Sequence, residues 1–162
     1  MNNLNNYLNY IKIFKERSDN METFKSKHIG CYGIVKNNNE ILLIKKGRGA
    51  YKGKLDLPGG GIEYGETTLE TIKREFMEEV GINIRNAKLK TVVTNYVVWN
   101  LDETHLEDLQ HIGIVYDVEI QEKDLKKIKQ DADGHDSLGA KWYNIDELNI
   151  EDLSPIAKCI FE

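Results

Sequence analysis

The octapeptide Arg74–Gly81, REFMEEVG, places Glu75, Glu78 and Glu79 at i, i+3 and i+4. On a helix these positions are surface neighbours, and like charges there repel. A divalent cation would offset that repulsion: Mg²⁺ prefers carboxylate and water oxygens and often bridges to substrate phosphates. The alternative is a solvated acidic face, partly neutralised by Lys73 and Arg74. From the acids alone the two readings stand level.

Charge along the chain adds a second element. Residues 1–54 carry a net charge of +7 and residues 55–162 a net −12, within an overall −5. Lys45, Lys46, Arg48, Lys52 and Lys54 put five cations and no anion into a ten-residue stretch. The stretch from Gly60 to Ile82 then holds six Glu against Lys73 and Arg74. A cationic loop beside an anionic segment fits a phosphate-bearing ligand held between cations and a carboxylate-bound metal. Solvated surface charge is the plainer reading for most members of each run.

The acids need a rigid support. On an ideal helix over residues 67–80, Leu69, Ile72, Phe76 and Val80 form an apolar stripe that should bury against a sheet. The glutamates fall on the adjacent face, where packing fixes the backbone beneath them. Thr67 or Thr68 is the expected cap and Gly81 the expected stop. Upstream, HIGCYGIVKNNNEILLIKK reads as a hairpin turning at Asn37–Asn39. The glycines after Pro58 allow a sharp turn and close backbone approach. AKLKTVVTNYVVW and HIGIVYDVEI read as strands flanking an acidic loop, NLDETHLEDLQ. EKDLKKIKQDADGHDS is a polar connection, AKWYNI a short strand, and DELNIEDLSPIAKCIFE a final helix. The order implies an α+β domain, a mixed β-sheet flanked by helices in a layered α/β/α arrangement. Residues 1–27 are expected to be an arm or helix preceding a domain at 28–162.

Length and composition agree with one globular domain: 162 residues, 40% apolar and 30% charged. No apolar run approaches the roughly 20 residues that span a bilayer, so no membrane association is expected. The N-terminus lacks the pattern of a secretory leader. Cys31 and Cys159 match no metal or redox spacing, which points to reduced thiols in the cytoplasm.

Read from Gly60, the sequence is G-x5-E-x7-R-E-F-x-E-E-x-G-I. Gly60, Glu66, Arg74, Glu75, Glu78, Glu79 and Gly81 fill every fixed position of the Nudix box, and the chain resembles the Nudix (MutT-like) hydrolases. LDLPGGGIE and WYNIDEL extend the resemblance over about residues 28–161. The resemblance implies a Nudix-type fold and a hydrolase acting on acid anhydrides in phosphorus-containing substrates. It would cleave a nucleoside diphosphate linked to another moiety, with Mg²⁺ or Mn²⁺. Carried over, Glu75, Glu78 and Glu79 are metal ligands, with the Gly60 carbonyl. Arg74 and Glu66 are a supporting pair that orients Glu75. The general base is either Glu75 or a later acid: Glu107, Asp108, Asp133 or Asp136, with Asp136 favoured as the late-loop base. Arg48, Lys52 and Lys54 are expected phosphate contacts, with Lys45 and Lys46 behind them. Tyr51, Tyr96 and Trp99 are expected to stack or pack. His105, His111 and His135 read as loop or strand-edge histidines.

Two other functions compete: a catalytically silent Nudix-fold nucleotide-binding or regulatory domain, and an RNA 5′-end pyrophosphohydrolase. The intact box argues against the first. The acidic balance after residue 54 argues against long nucleic acid. The expected partner is a small-molecule nucleotide diphosphate, with the compact size and the KGKLDLPGGGIEYGE approach leaning toward nucleoside triphosphates; YVVWN lacks the Pro that ADP-ribose-type relatives often carry past the box. A homodimer is expected, with the arm offering a contact.

Overall fold

The computed structural model describes residues 8, 11, 12, 21–129 and 137–161. Most of the expected arm, and the proposed base Asp136 with Asp133 and His135, lie outside these residues. The first strand, β1, runs Glu22–Ile34, so residues 22–27 extend a strand instead of belonging to the arm.

Two sheets share the core. In the first, the order is β5–β1–β7–β6, with β5 at Gly59–Gly61, β6 at Asn86–Asn100 and β7 at His105–Glu119. β1 pairs parallel to β7 and antiparallel to β5, and β6 pairs antiparallel to β7, so the sheet is mixed. In the second, β3 (Glu40–Lys46) pairs antiparallel with β2 (Lys36–Asn37), β4 (Leu55–Asp56) and β8 (Ser137–Asn144).

The expected hairpin at Asn37–Asn39 forms only as a short β2–β3 turn, with Asn38 at φ 53°. The apolar run before it enters the first sheet as β1, where residues 30–34 are buried consecutively, Cys31 in one core cluster and Tyr32 and Ile34 in the other. The acidic loop is likewise shorter than expected. His105–Gln110 continue β7 as far as the four-residue connection 101–104, since Leu106 and Asp108 are buried in alternation with more open neighbours. Glu107 and Asp108 are therefore strand residues.

The helix α1 spans Thr68–Glu75 and is capped by Thr67, whose side chain accepts from the Glu70 N–H while the Glu70 carboxylate accepts from the Thr67 N–H. It widens into a π-turn at Phe76–Val80 and stops at Gly81, whose φ of 75° is left-handed and favours glycine. Ile72, Phe76 and Val80 are fully buried, against Cys31, Val35, Leu42 and Ile44 of the sheets. Leu69, expected in that stripe, is instead 45% exposed; the first turn meets the sheet through Thr68, whose Oγ1 accepts from Tyr116 Oη.

The opposite sheet face is covered by the C-terminal segment, through Leu153, Ile156, Ala157 and Cys159 on Ile41, Leu43 and Val115. This segment is not the expected final helix. It consists of 3₁₀ turns at Ile145–Glu147, Ile150–Asp152 and Ala157–Phe161. Asn144 and Asn149 cap the first two with their side chains, which restarts the chain before a longer helix can propagate. No helix among the described residues is long and apolar enough to cross a membrane.

Candidate active site

The helix and the glycine strand approach most closely at Gly60 and Glu75. A Cβ on Gly60 would stand 2.5 Å from Glu75 Oε1, so a larger residue there would have to push this carboxylate out of its position. Glu75 ends α1, and its side chain is 12% exposed.

Arg74 fixes that carboxylate. Its Nη1 donates to Glu75 Oε1 at 2.6 Å and its Nη2 to the Gly61 carbonyl at 3.0 Å. Nε and Nη2 form a two-pronged contact with Glu66, at 2.7 and 3.0 Å. Glu66 also accepts from Thr71 Oγ1 and the Glu63 N–H. These donors, Arg74 first, pull the Glu66 carboxyl down to about 2. Burial pushes Glu75 the other way, above the usual carboxylate range, although Arg74 partly offsets it; Glu78 raises it further and Lys46 lowers it. Desolvation is thus the main cause, ahead of the repulsion between neighbouring glutamates.

The other two acids diverge. Glu78 is exposed and lies 3.5 Å from Arg74 Nη1, the same nitrogen that holds Glu75. Glu79 is 3% exposed, and its Oε2 accepts from the Gly59 N–H at 2.8 Å. Helical spacing accounts for the split: Glu79 lies seven residues after the buried Ile72, close to two full turns on, and so returns to the inner side beneath the glycine strand, while Glu78 is rotated about 100° from it toward solvent. Among the described residues no three His, Cys, Asp or Glu side chains stand in a metal-holding arrangement. The donor chemistry nevertheless suits a hard divalent cation. Glu75 and Glu78 converge on a single guanidinium nitrogen, Glu78 is free to change rotamer, and Mg²⁺ needs only one or two carboxylates beside water and phosphate oxygens.

Beside the acids lies a pocket of about 440 Å³. Lys46, Arg48, Tyr51, Asp56, Trp99 and His111 are among its walls, with His28 and Tyr32. Lys46, on the pocket wall, acts electrostatically on both Glu75 and His111. Of the expected substrate contacts, Arg48 and Tyr51 line the pocket. Lys52 sits exposed in the turn after Gly49, and Lys54 donates to the Glu151 carbonyl at 2.6 Å, on the C-terminal segment. Glu107 accepts from Ser26 and from Trp99 Nε1, so it braces the pocket wall. Tyr96 and Asp108 line a different cavity, with Lys25, Lys27 and Gln110.

His28, Tyr32 and Asp56 were not expected at the site, and His111 was expected at a strand edge. The sequence did carry a signal. The tripeptide His-Ile-Gly occurs at 28–30 and again at 111–113, and parallel pairing sets the two copies side by side. The two imidazoles meet edge to face at 4.9 Å.

This arrangement, two sheets carrying a capped helix whose acids face a glycine strand, has known counterparts. The NUDIX domain model matches residues 25–162. The ADP-ribose pyrophosphatase of Methanocaldococcus jannaschii is 30% identical over 85% of this chain and 74% of its own length. The nucleoside triphosphatase NudI of an Enterobacter species is 28% identical over 79% of this chain and 89% of its own. The 8-oxo-dGTP diphosphatase of Escherichia coli is 44% identical over 35% of this chain and 46% of its own. Among solved structures, a MutT Nudix hydrolase from Burkholderia pseudomallei superposes with a TM-score of 0.54 at 22% identity, over 83% of this chain and 95% of that one. The chain belongs to the Nudix family of hydrolases.

Proposed function

We propose that this Nudix hydrolase is a divalent-metal-dependent pyrophosphohydrolase that cleaves the diphosphate linkage of a nucleotide-type substrate, nucleoside triphosphates foremost. The observation that carries the reading is the Glu75 carboxylate, half-sunk against Gly60 and fixed there by Arg74, beside a pocket of nucleoside size. Glu75, Glu78 and Glu79, with the Gly60 carbonyl, would hold Mg²⁺ or Mn²⁺, which when bound neutralises phosphate oxygens and acidifies a water. Glu66 and Arg74 keep Glu75 in place, a role whose loss weakens metal sites. Lys46 and Arg48 bind phosphate, and the aromatic pocket, Tyr51 included, takes the base, with Trp99 as the stacking surface. Asp136 and Glu75 are the proposed proton acceptors. A cytoplasmic location is supported by Cys31 and Cys159, both buried and outside any disulfide.

The relative named an ADP-ribose pyrophosphatase favours a second substrate, since its match covers most of both chains. A panel of nucleoside triphosphates and ADP-ribose, assayed for phosphate release with and without Mg²⁺, separates the two. The double variant Glu78→Gln with Glu79→Gln should lose at least about a hundredfold in turnover, as metal sites do when their carboxylates are altered. Undiminished activity in that variant contradicts the assigned acids. A wild-type chain silent on the whole panel favours a binding domain instead.

A further inference from the structure

The pocket contains a hydrogen-bonded chain that phosphate chemistry leaves unused. Tyr32 Oη and His111 Nε2 are 2.7 Å apart, and His111 Nδ1 and Tyr51 Oη 3.2 Å. All three side chains are buried, and Tyr51 stacks on the imidazole at 5.5 Å. Burial first, then His28 and Lys46, hold His111 down to about 3, so the ring is neutral at working pH. Burial, followed by the charge of Asp56, raises both phenols, which keep their protons.

A neutral imidazole carries one N–H and one lone pair. One phenol must therefore donate to the ring and the other must accept from it. The accepting phenol keeps its own O–H for a further partner, and the donating phenol keeps its lone pairs. The chain thus ends in one donor and one acceptor, whichever way it runs. The shorter contact suits O–H donation from Tyr32 and the longer suits N–H donation to Tyr51, which leaves Tyr51 as the donor end. Reversal conserves protons and charge. Tyr32 passes its proton to Nε2 and takes another from pocket water, while Nδ1 passes its proton to Tyr51, which releases its original proton to water.

We propose that the Tyr32–His111–Tyr51 chain is the specificity element of the pocket, offering a ring one donor and one acceptor in interchangeable order, so that rings bearing a carbonyl and rings bearing an amino group both bind. The proposal rests on the pocket being the base site of a nucleotide, as inferred above.

Removing either phenol should end that tolerance, and in the same direction. A buried N–H left unpaired costs more than an unpaired lone pair, so the ring keeps its proton toward the remaining phenol. That phenol then always donates outward and favours a carbonyl. Calorimetric titration of the full chain with inosine monophosphate and adenosine monophosphate tests this without turnover. Wild type should bind the two within about threefold, and Tyr51→Phe and Tyr32→Phe should each favour inosine monophosphate by about tenfold, the size of one hydrogen bond. Thermal melts of both variants identify any that misfold, and either variant alone decides the matter. A wild type that already separates the nucleotides more than tenfold, or a folded variant with the wild-type ratio, overturns the proposal, because a structural role would weaken both ligands alike. Absence of binding by either nucleotide to any form overturns the base-site reading and the proposal with it.

Discussion

The acidic edge of α1 and the pocket beside it are built by opposite means. At the acidic edge the charges are kept and paired: one guanidinium contacts Glu66, Glu75 and Glu78. In the pocket floor a buried neutral imidazole joins two phenols through hydrogen bonds, with no ion pair among the three. The acidic edge draws its parts from residues 59–79, whereas the pocket gathers β1, β3 and the loop after it, β4, β6 and β7. On the proposed reading, reaction chemistry belongs to a short, stiff stretch of chain, and selection to the place where distant strands converge.

The largest blow to that division should come from beneath the acids. Phe76 is fully buried between α1 and the sheets, so Phe76→Ala should cost about 3–5 kcal/mol in chemical denaturation, by lost burial and the cavity left behind. Because the same residue anchors the turn bearing Glu78 and Glu79, turnover in the folded fraction should fall as well. A variant as stable as wild type would mean that the helix is held elsewhere.

The pocket has its own signature in pH. His111 titrates at about 3 in the folded chain against an ordinary 6.5, so below 6.5 the unfolded chain takes up a proton that the folded chain refuses. Stability is complete above 6.5 and falls as pH drops toward 3, by up to about 1.4 kcal/mol per pH unit. Glu66, drawn down to about 2, adds a loss of the same sign, but only below its ordinary 4.5. Glu75, raised by burial, acts in the opposite sense just above the carboxylate range, so the window just under 6.5 reads His111 best. His111→Gln should flatten the urea-denaturation slope there, and an unchanged slope would assign the proton elsewhere.

The two regions also differed in how far the sequence disclosed them. The box was legible because its residues are local: cap, apolar stripe, stop glycine and acid spacing all lie within one turn-and-helix unit. Even there, the three acids taken as one face divide: Glu79, seven residues after the buried Ile72, is itself buried, while Glu78 stays exposed. The pocket was illegible because His28 and His111 are 83 residues apart and meet only through parallel pairing of β1 with β7, a register no local pattern encodes. The repeated His-Ile-Gly marked both strands without saying that they were neighbours. The C-terminal helix failed for a local reason, since Asn144 and Asn149 cap short turns that compete with propagation.

The central claim, that the acids carry the reaction and the pocket carries selection, is tested most directly by steady-state kinetics of two variants on one nucleoside triphosphate. Glu66→Gln loosens the Arg74 clamp on Glu75 and should lower kcat about 10- to 100-fold, with KM within about twofold. Trp99→Ala removes a pocket wall and should raise KM about tenfold, with kcat nearly unchanged, as expected for lost base stacking. If both substitutions move the same parameter, the division between the two regions is contradicted.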